Sequence, residues 1–225
     1  MQPISEKNNF HYLCIGLIIL LLISALIENF PGDLAARFVQ AATVSTLLFV
    51  ALGNRAHRSS MAISLTFMLL MCIVITAGIV LDSSGFGIAH LLLLLVFLLW
   101  VTWASLKQVL FTGQVDRNTI VGAICIYMLM GLVWALLYLL IAEIVPDSFN
   151  GMAQAPWLDN FAEATYFSFV TLTTLGYGDI SPVFPLARFL VYMEAIVGLF
   201  YMAILVASLI GVRLSGYTPQ GDQDT

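Results

Sequence analysis

Six long stretches of this chain carry almost no charge, and a polypeptide patterned in that way has few folds open to it. They run approximately from Phe10 to Ile27, Phe38 to Gly53, Ser59 to Leu81, Phe86 to Leu106, Asn118 to Ala142 and Pro185 to Val212. A bilayer's hydrocarbon is roughly 30 Å thick, and about 20 apolar helical residues cross it. Inside it every backbone N–H and C=O must be satisfied by protein, which a helix achieves segment by segment. The expected fold is an all-α membrane protein with six transmembrane helices. Composition agrees: 61% of the 225 residues are hydrophobic and 9% are charged, outside the range of a water-soluble globular domain.

A seventh apolar stretch breaks the pattern. Phe161 to Thr173 holds 13 residues, about 20 Å as a helix, which is too short to cross and suits a re-entrant helix. Asn160 and Glu163 have capping-box spacing at its start. Pro146, Asn150-Gly151 and Pro156 mark a loop before it, and glycines instead of a full span follow it. A break at 107–117, where Thr112-Gly113-Gln114 interrupts the apolar runs, separates a four-helix domain over 1–106 from a second domain over 118–214. The polar tail 215–225 is expected to be disordered and too short to hold a ligand-binding domain.

Orientation follows from Lys and Arg in the short loops. A cytoplasmic N-terminus puts Lys7, Arg55, Arg58, Lys107, Arg117 and Arg213 inside, leaving only Arg37 and Arg188 outside. Both termini are then cytoplasmic, in a multi-pass protein of the cell membrane whose first helix is retained. The outer side collects Glu28, Asp33, Asp82, Glu143, Asp147, Asp159, Glu163 and Asp179. Acids are the permitted charge there, and those flanking the short helix would also concentrate cations.

Polar backbone at membrane depth is tolerated only where it is buried in protein or lines a water-filled cavity. Thr173-Thr174-Leu175-Gly176-Tyr177-Gly178-Asp179 must be such a place. Glycines at alternate positions let the carbonyls of Thr174, Leu175, Gly176 and Tyr177 turn to one axis, with the Thr174 hydroxyl adding a lower ring. This run resembles the filter signature of the potassium channel family, Thr-x-Gly-Tyr-Gly-Asp, and the resemblance extends over about Asn118 to Leu214. It implies a pore domain of outer helix, pore helix, filter and inner helix. It also implies K+ as the permeant ion, bound by the carbonyls of Thr174 to Tyr177, and a homotetramer, since one copy cannot surround an ion. Gly178, Asp179, Thr173, Tyr166 and Phe167 would then support the filter. Leu175 stands where the family usually has Val or Ile, and Tyr166-Phe167 where many members carry Trp.

The resemblance places Gly198 at a hinge of the inner helix, against the plainer reading of close packing. Leu199, Met202 and Val206 share a helical face and are candidate cavity linings. Glu194 lies well inside a span, where an acid needs a partner or a proton; its expected place is behind the re-entrant helix near Ser168 or Thr171, bracing the filter. The four helices over 1–106 resemble a voltage-sensor domain in layout, but the fourth span, Phe86 to Leu106, lacks its Lys and Arg, so weak or absent voltage dependence is expected. His11, His57 and His90 are expected at membrane interfaces, like Trp100, Trp103 and Trp157. Cys14, Cys72 and Cys125 read as apolar filling. No enzyme motif, cofactor site or nucleic-acid partner is expected. A weakly selective cation channel and a non-conducting membrane sensor or scaffold are the alternatives.

Overall fold

The computed structural model of the chain describes residues 9–27, 58–81, 85–111 and 117–215. The expected second span, Phe38 to Gly53, the loop charges Arg37 and Arg55, and both chain tails lie outside the described residues. Six helices are described: α1 (Asn9–Ile27), α2 (Arg58–Leu81), α3 (Gly85–Phe111), α4 (Arg117–Ile144), α5 (Phe161–Leu172) and α6 (Pro185–Ser215). Two short strands, β1 (Phe149–Asn150) and β2 (Ser181–Pro182), complete the architecture.

Three helices are long and apolar enough to cross a membrane, over Gly85–Val109, Asn118–Ile144 and Pro185–Leu205, and two shorter apolar stretches cover Phe10–Leu26 and Ala62–Gly78. Their polar side chains are largely absorbed locally. The hydroxyls of Ser24, Thr66, Thr76 and Thr102 each donate to a carbonyl three or four residues back, which keeps them satisfied without water.

Helix α4 is the spine. Leu129, Leu132, Leu136 and Leu139 recur at helical spacing along it and are fully buried. α1 and α3 both pack against α4, and α2 packs against α3. The approach is closest at Gly122, where an added Cβ would lie 2.8 Å from the Phe10 ring and from Val109; glycine lets three helices meet there. On its other side α4 holds the short α5, which also touches α6.

Helix α5 ends where the sequence reading expected, but its start is built differently. Asn160 makes no capping hydrogen bond. Its amide nitrogen donates to the carbonyls of Ala153 at 2.7 Å and Ala155 at 3.3 Å, which turns the side chain toward the loop before the helix. The loop is also tied beyond α5. β1 pairs antiparallel with β2, Phe149 facing Pro182 and Asn150 facing Ser181.

Candidate functional site

The last turn of α5 would leave carbonyls without helical partners. The chain uses them by folding back: the N–H of Thr174 donates to Thr171 O at 2.9 Å, and those of Leu175 and Gly176 to Val170 O at 2.9 and 3.3 Å. Positive φ recurs at alternate residues, 59° at Thr174, 59° at Gly176 and 81° at Gly178. Alternation of this kind turns successive N–H groups to one side and carbonyls to the other. At Thr174 it costs about 1–3 kcal/mol, since a side chain disfavours that region. Among the described residues no backbone N–H bonds the carbonyls of Thr174, Leu175, Gly176 or Tyr177. The result is a row of oxygens free to meet a cation.

Above this row, the Tyr166 hydroxyl donates to Asp179 Oδ2 at 2.6 Å, and the Ile180 N–H to Asp179 Oδ1 at 3.1 Å. The Tyr166 bond, more than any other contact, holds the Asp179 carboxyl below the usual carboxylate range. Arg188 Nε donates to Pro182 O at 3.2 Å, fixing the exit of the loop to the start of α6.

Behind the row, Glu194 of α6 is fully buried. Ser168 Oγ lies 2.5 Å from Glu194 Oε1 and 2.7 Å from Gly131 O, while the Tyr138 hydroxyl donates to Glu194 Oε2. One hydroxyl proton serves only one acceptor at a time. With Ser168 donating to Gly131, the set is complete in hydrogen bonds when Glu194 carries its own proton toward Ser168. Helices α4, α5 and α6 are thus joined at one side chain. Phe167 is buried beside it, its ring 5.2 Å from Tyr138 and 5.8 Å from Phe149, and those two rings stand 5.6 Å apart.

Gly198 is buried, and a Cβ there would collide with the Leu172 carbonyl. α6 continues through this point without a break, so close approach alone requires glycine. The same carbonyl accepts the Tyr127 hydroxyl at 3.1 Å, and Tyr127 stacks on Tyr201, whose own hydroxyl donates to Ala123 O at 2.7 Å. Leu199 and Met202 are exposed on α6; the side chain of Val206 lies outside the described ones. Thr173 donates its hydroxyl to Phe169 O at 2.7 Å.

Two interfacial expectations are corrected. Trp157 is 2% exposed and His90 3%, the two rings in edge contact at 5.0 Å; the indole N–H is spent on the Gly87 carbonyl and the imidazole packs on the indole, so both are enclosed by protein. Trp103 does stay exposed, with Lys107 Nζ 5.1 Å from its ring centre. Sequence reasoning missed Tyr127, Tyr138 and Tyr201. The available signal was a phenol inside an apolar span, which must find a partner.

The family described as ion channel matches residues 119–213. Over 90 residues the chain is 33% identical to the inward rectifier potassium channel Kirbac3.1 of Paramagnetospirillum magnetotacticum, a match covering 40% of this chain and 28% of that protein. The aligned part of the chain thus spans little over a quarter of that relative's length. No solved structure matches. The chain is a mostly helical membrane protein with three helices long and apolar enough to span a bilayer, and its residues 119–213 are similar to a family of ion channels, not of enzymes.

Proposed function

We propose that the chain is one subunit of a homotetrameric, potassium-selective channel of the cell membrane, with the carbonyls of Thr174, Leu175, Gly176 and Tyr177 as the ion-binding row. The observation that carries this is the hydrogen-bond account of that segment: the N–H groups of Thr174, Leu175 and Gly176 are spent on α5, and among the described residues no backbone N–H occupies the carbonyls of Thr174 to Tyr177. Such oxygens replace an ion's water shell. A cation-binding row on one chain is open on its other sides, and copies around an axis close it. The span of α6 fits that demand, being only 11% buried against 61% for α4, and Tyr177 is 67% exposed. The 33% identity over 90 residues to a protein named as a potassium channel favours K+ over other cations.

In this reading 118–214 is the pore domain, entered from an acidic outer mouth, and 1–106 a peripheral domain joined to it by 107–117. Gly178, Asp179, Tyr166, Phe167 and Glu194 hold the filter's shape, and any bending of α6 at Gly198 must lift it from Leu172. Phe86 to Leu106 offers no Lys or Arg for a membrane field to pull, and each charge moved would yield only about 2.3 kcal/mol per 100 mV.

Bi-ionic recordings on purified protein in bilayers test the proposal. A reversal potential shifted strongly toward potassium, with a shallow conductance–voltage curve, is the expected result. A potential near zero identifies a weakly selective cation pore, and absence of current a non-conducting scaffold; either outcome overturns it.

A further inference from the structure

Three helices meet at a side chain that filter chemistry alone does not require. Trp157, in the loop four residues before α5, is among the largest fully buried side chains. Its indole N–H donates to Gly87 O at 2.9 Å, in the first turn of α3. Its backbone N–H donates to Glu143 Oε1 at 2.5 Å, in the last turn of α4. One ring contact is with His90 of α3, edge-on at 78°, and another with Phe161, the first residue of α5, at 6.5 Å and 72°. His90 Nε2 has no hydrogen-bond partner among the described residues, so the packing of its ring against Trp157 is what offsets its burial.

We propose that Trp157 is a positioning residue for the filter, setting the start of α5 against the outer end of α3, so that the peripheral helices bear on the ion path through this joint. The inference rests on the reading of 173–179 as an ion filter. Helix α5 has 12 residues and is about 18 Å long, too short to flex appreciably. A displacement at Phe161 therefore reaches the last turn, where the Val170 and Thr171 carbonyls hold the N–H groups of Thr174 to Gly176. The start of α5 has no side-chain cap to fix it independently. Its place is set by the loop, and the loop is pinned by Trp157.

The test compares the full chain with Trp157→Phe and His90→Phe in proteoliposomes, measuring both maximal potassium flux and the potassium-to-sodium permeability ratio. A role confined to folding lowers the amount of active protein, and with it the flux, while leaving the ratio unchanged. Trp157→Phe keeps an aromatic ring in place but removes the bond to Gly87 and some buried volume, so the ratio should fall by at least about fivefold, the equilibrium factor that one net hydrogen bond corresponds to. His90→Phe is the second arm, expected to lower the ratio in the same direction, and it decides alone where Trp157→Phe fails to assemble. The double variant should fall no further than the worse single one, because both act on one joint. A selective parent with unchanged ratios in the variants overturns the joint and leaves the channel reading intact. A parent without potassium selectivity overturns both.

Discussion

At the scale of single residues, protons decide how the site is held. Asp179 is kept below the ordinary carboxylate range chiefly by the Tyr166 hydroxyl, so that bond is intact at neutral pH and is lost as pH falls through the depressed value. Tyr166→Phe removes the donor and lets the carboxyl return toward its ordinary range. The acid-side loss of potassium flux should accordingly begin at higher pH in the variant; an unmoved acid limb would show that Asp179 is not the group being titrated. Glu194 is held by geometry, a carboxyl enclosed by Ser168, Gly131 and Tyr138. Glu194→Gln reproduces a neutral acid, its amide donating to Ser168 and its carbonyl accepting from Tyr138. It should match the parent in thermal stability, whereas Glu194→Ala strands the buried Tyr138 hydroxyl at about 1–3 kcal/mol, Ser168 keeping its bond to Gly131. Equal losses in the two variants would mean that the ionised form is required.

At the scale of elements, close approach of backbones fixes where α6 stands. Replacing Gly198 by Ala gains about 1 kcal/mol in helix propensity. Against this stands a clash with the Leu172 carbonyl, a backbone atom that cannot rotate away, and overpacking costs about 1–3 kcal/mol. The clash should win. Gly198→Ala is expected to melt at lower temperature in detergent, by thermal scan of the purified protein, and a raised melting temperature would show that α6 has room to move there. Gly131 plays a related part on α4, where a Cβ would press 2.8 Å from the end of the Phe169 ring and the backbone carbonyl receives Ser168.

At the scale of the whole molecule, burial is uneven in a way that one chain does not resolve. Phe189, Tyr192, Ile196, Leu199 and Phe200 all lie exposed on α6, while α4 is enclosed by α1, α3 and α5. Lipid can cover apolar residues, but it cannot complete a ring of carbonyls. The assembled protein in mild detergent should therefore have the mass of four copies of the 24.7 kDa chain, by light scattering with the detergent contribution subtracted. A single-copy mass would remove the structural basis for conduction.

The apolar runs by themselves determined that helices form and where most begin and end, because segment length against bilayer thickness is a one-dimensional constraint. The run Thr174 to Asp179 likewise announced a special backbone, since glycines at alternate positions have few other uses in a membrane. Ser168 was legible, with Thr171 as the alternative, as a neighbour of Glu194 because a buried acid demands donors. Tyr138 as its other partner, Trp157 as a joint and Asn160 as a loop clasp were not legible. The first two depend on which donor reaches which acceptor once helices far apart in sequence have packed, and Asn160 on how its own loop folds back over it. Only tertiary structure decides that competition, since partners 56 residues apart for Tyr138 and 70 apart for Trp157 leave no spacing signal in the chain.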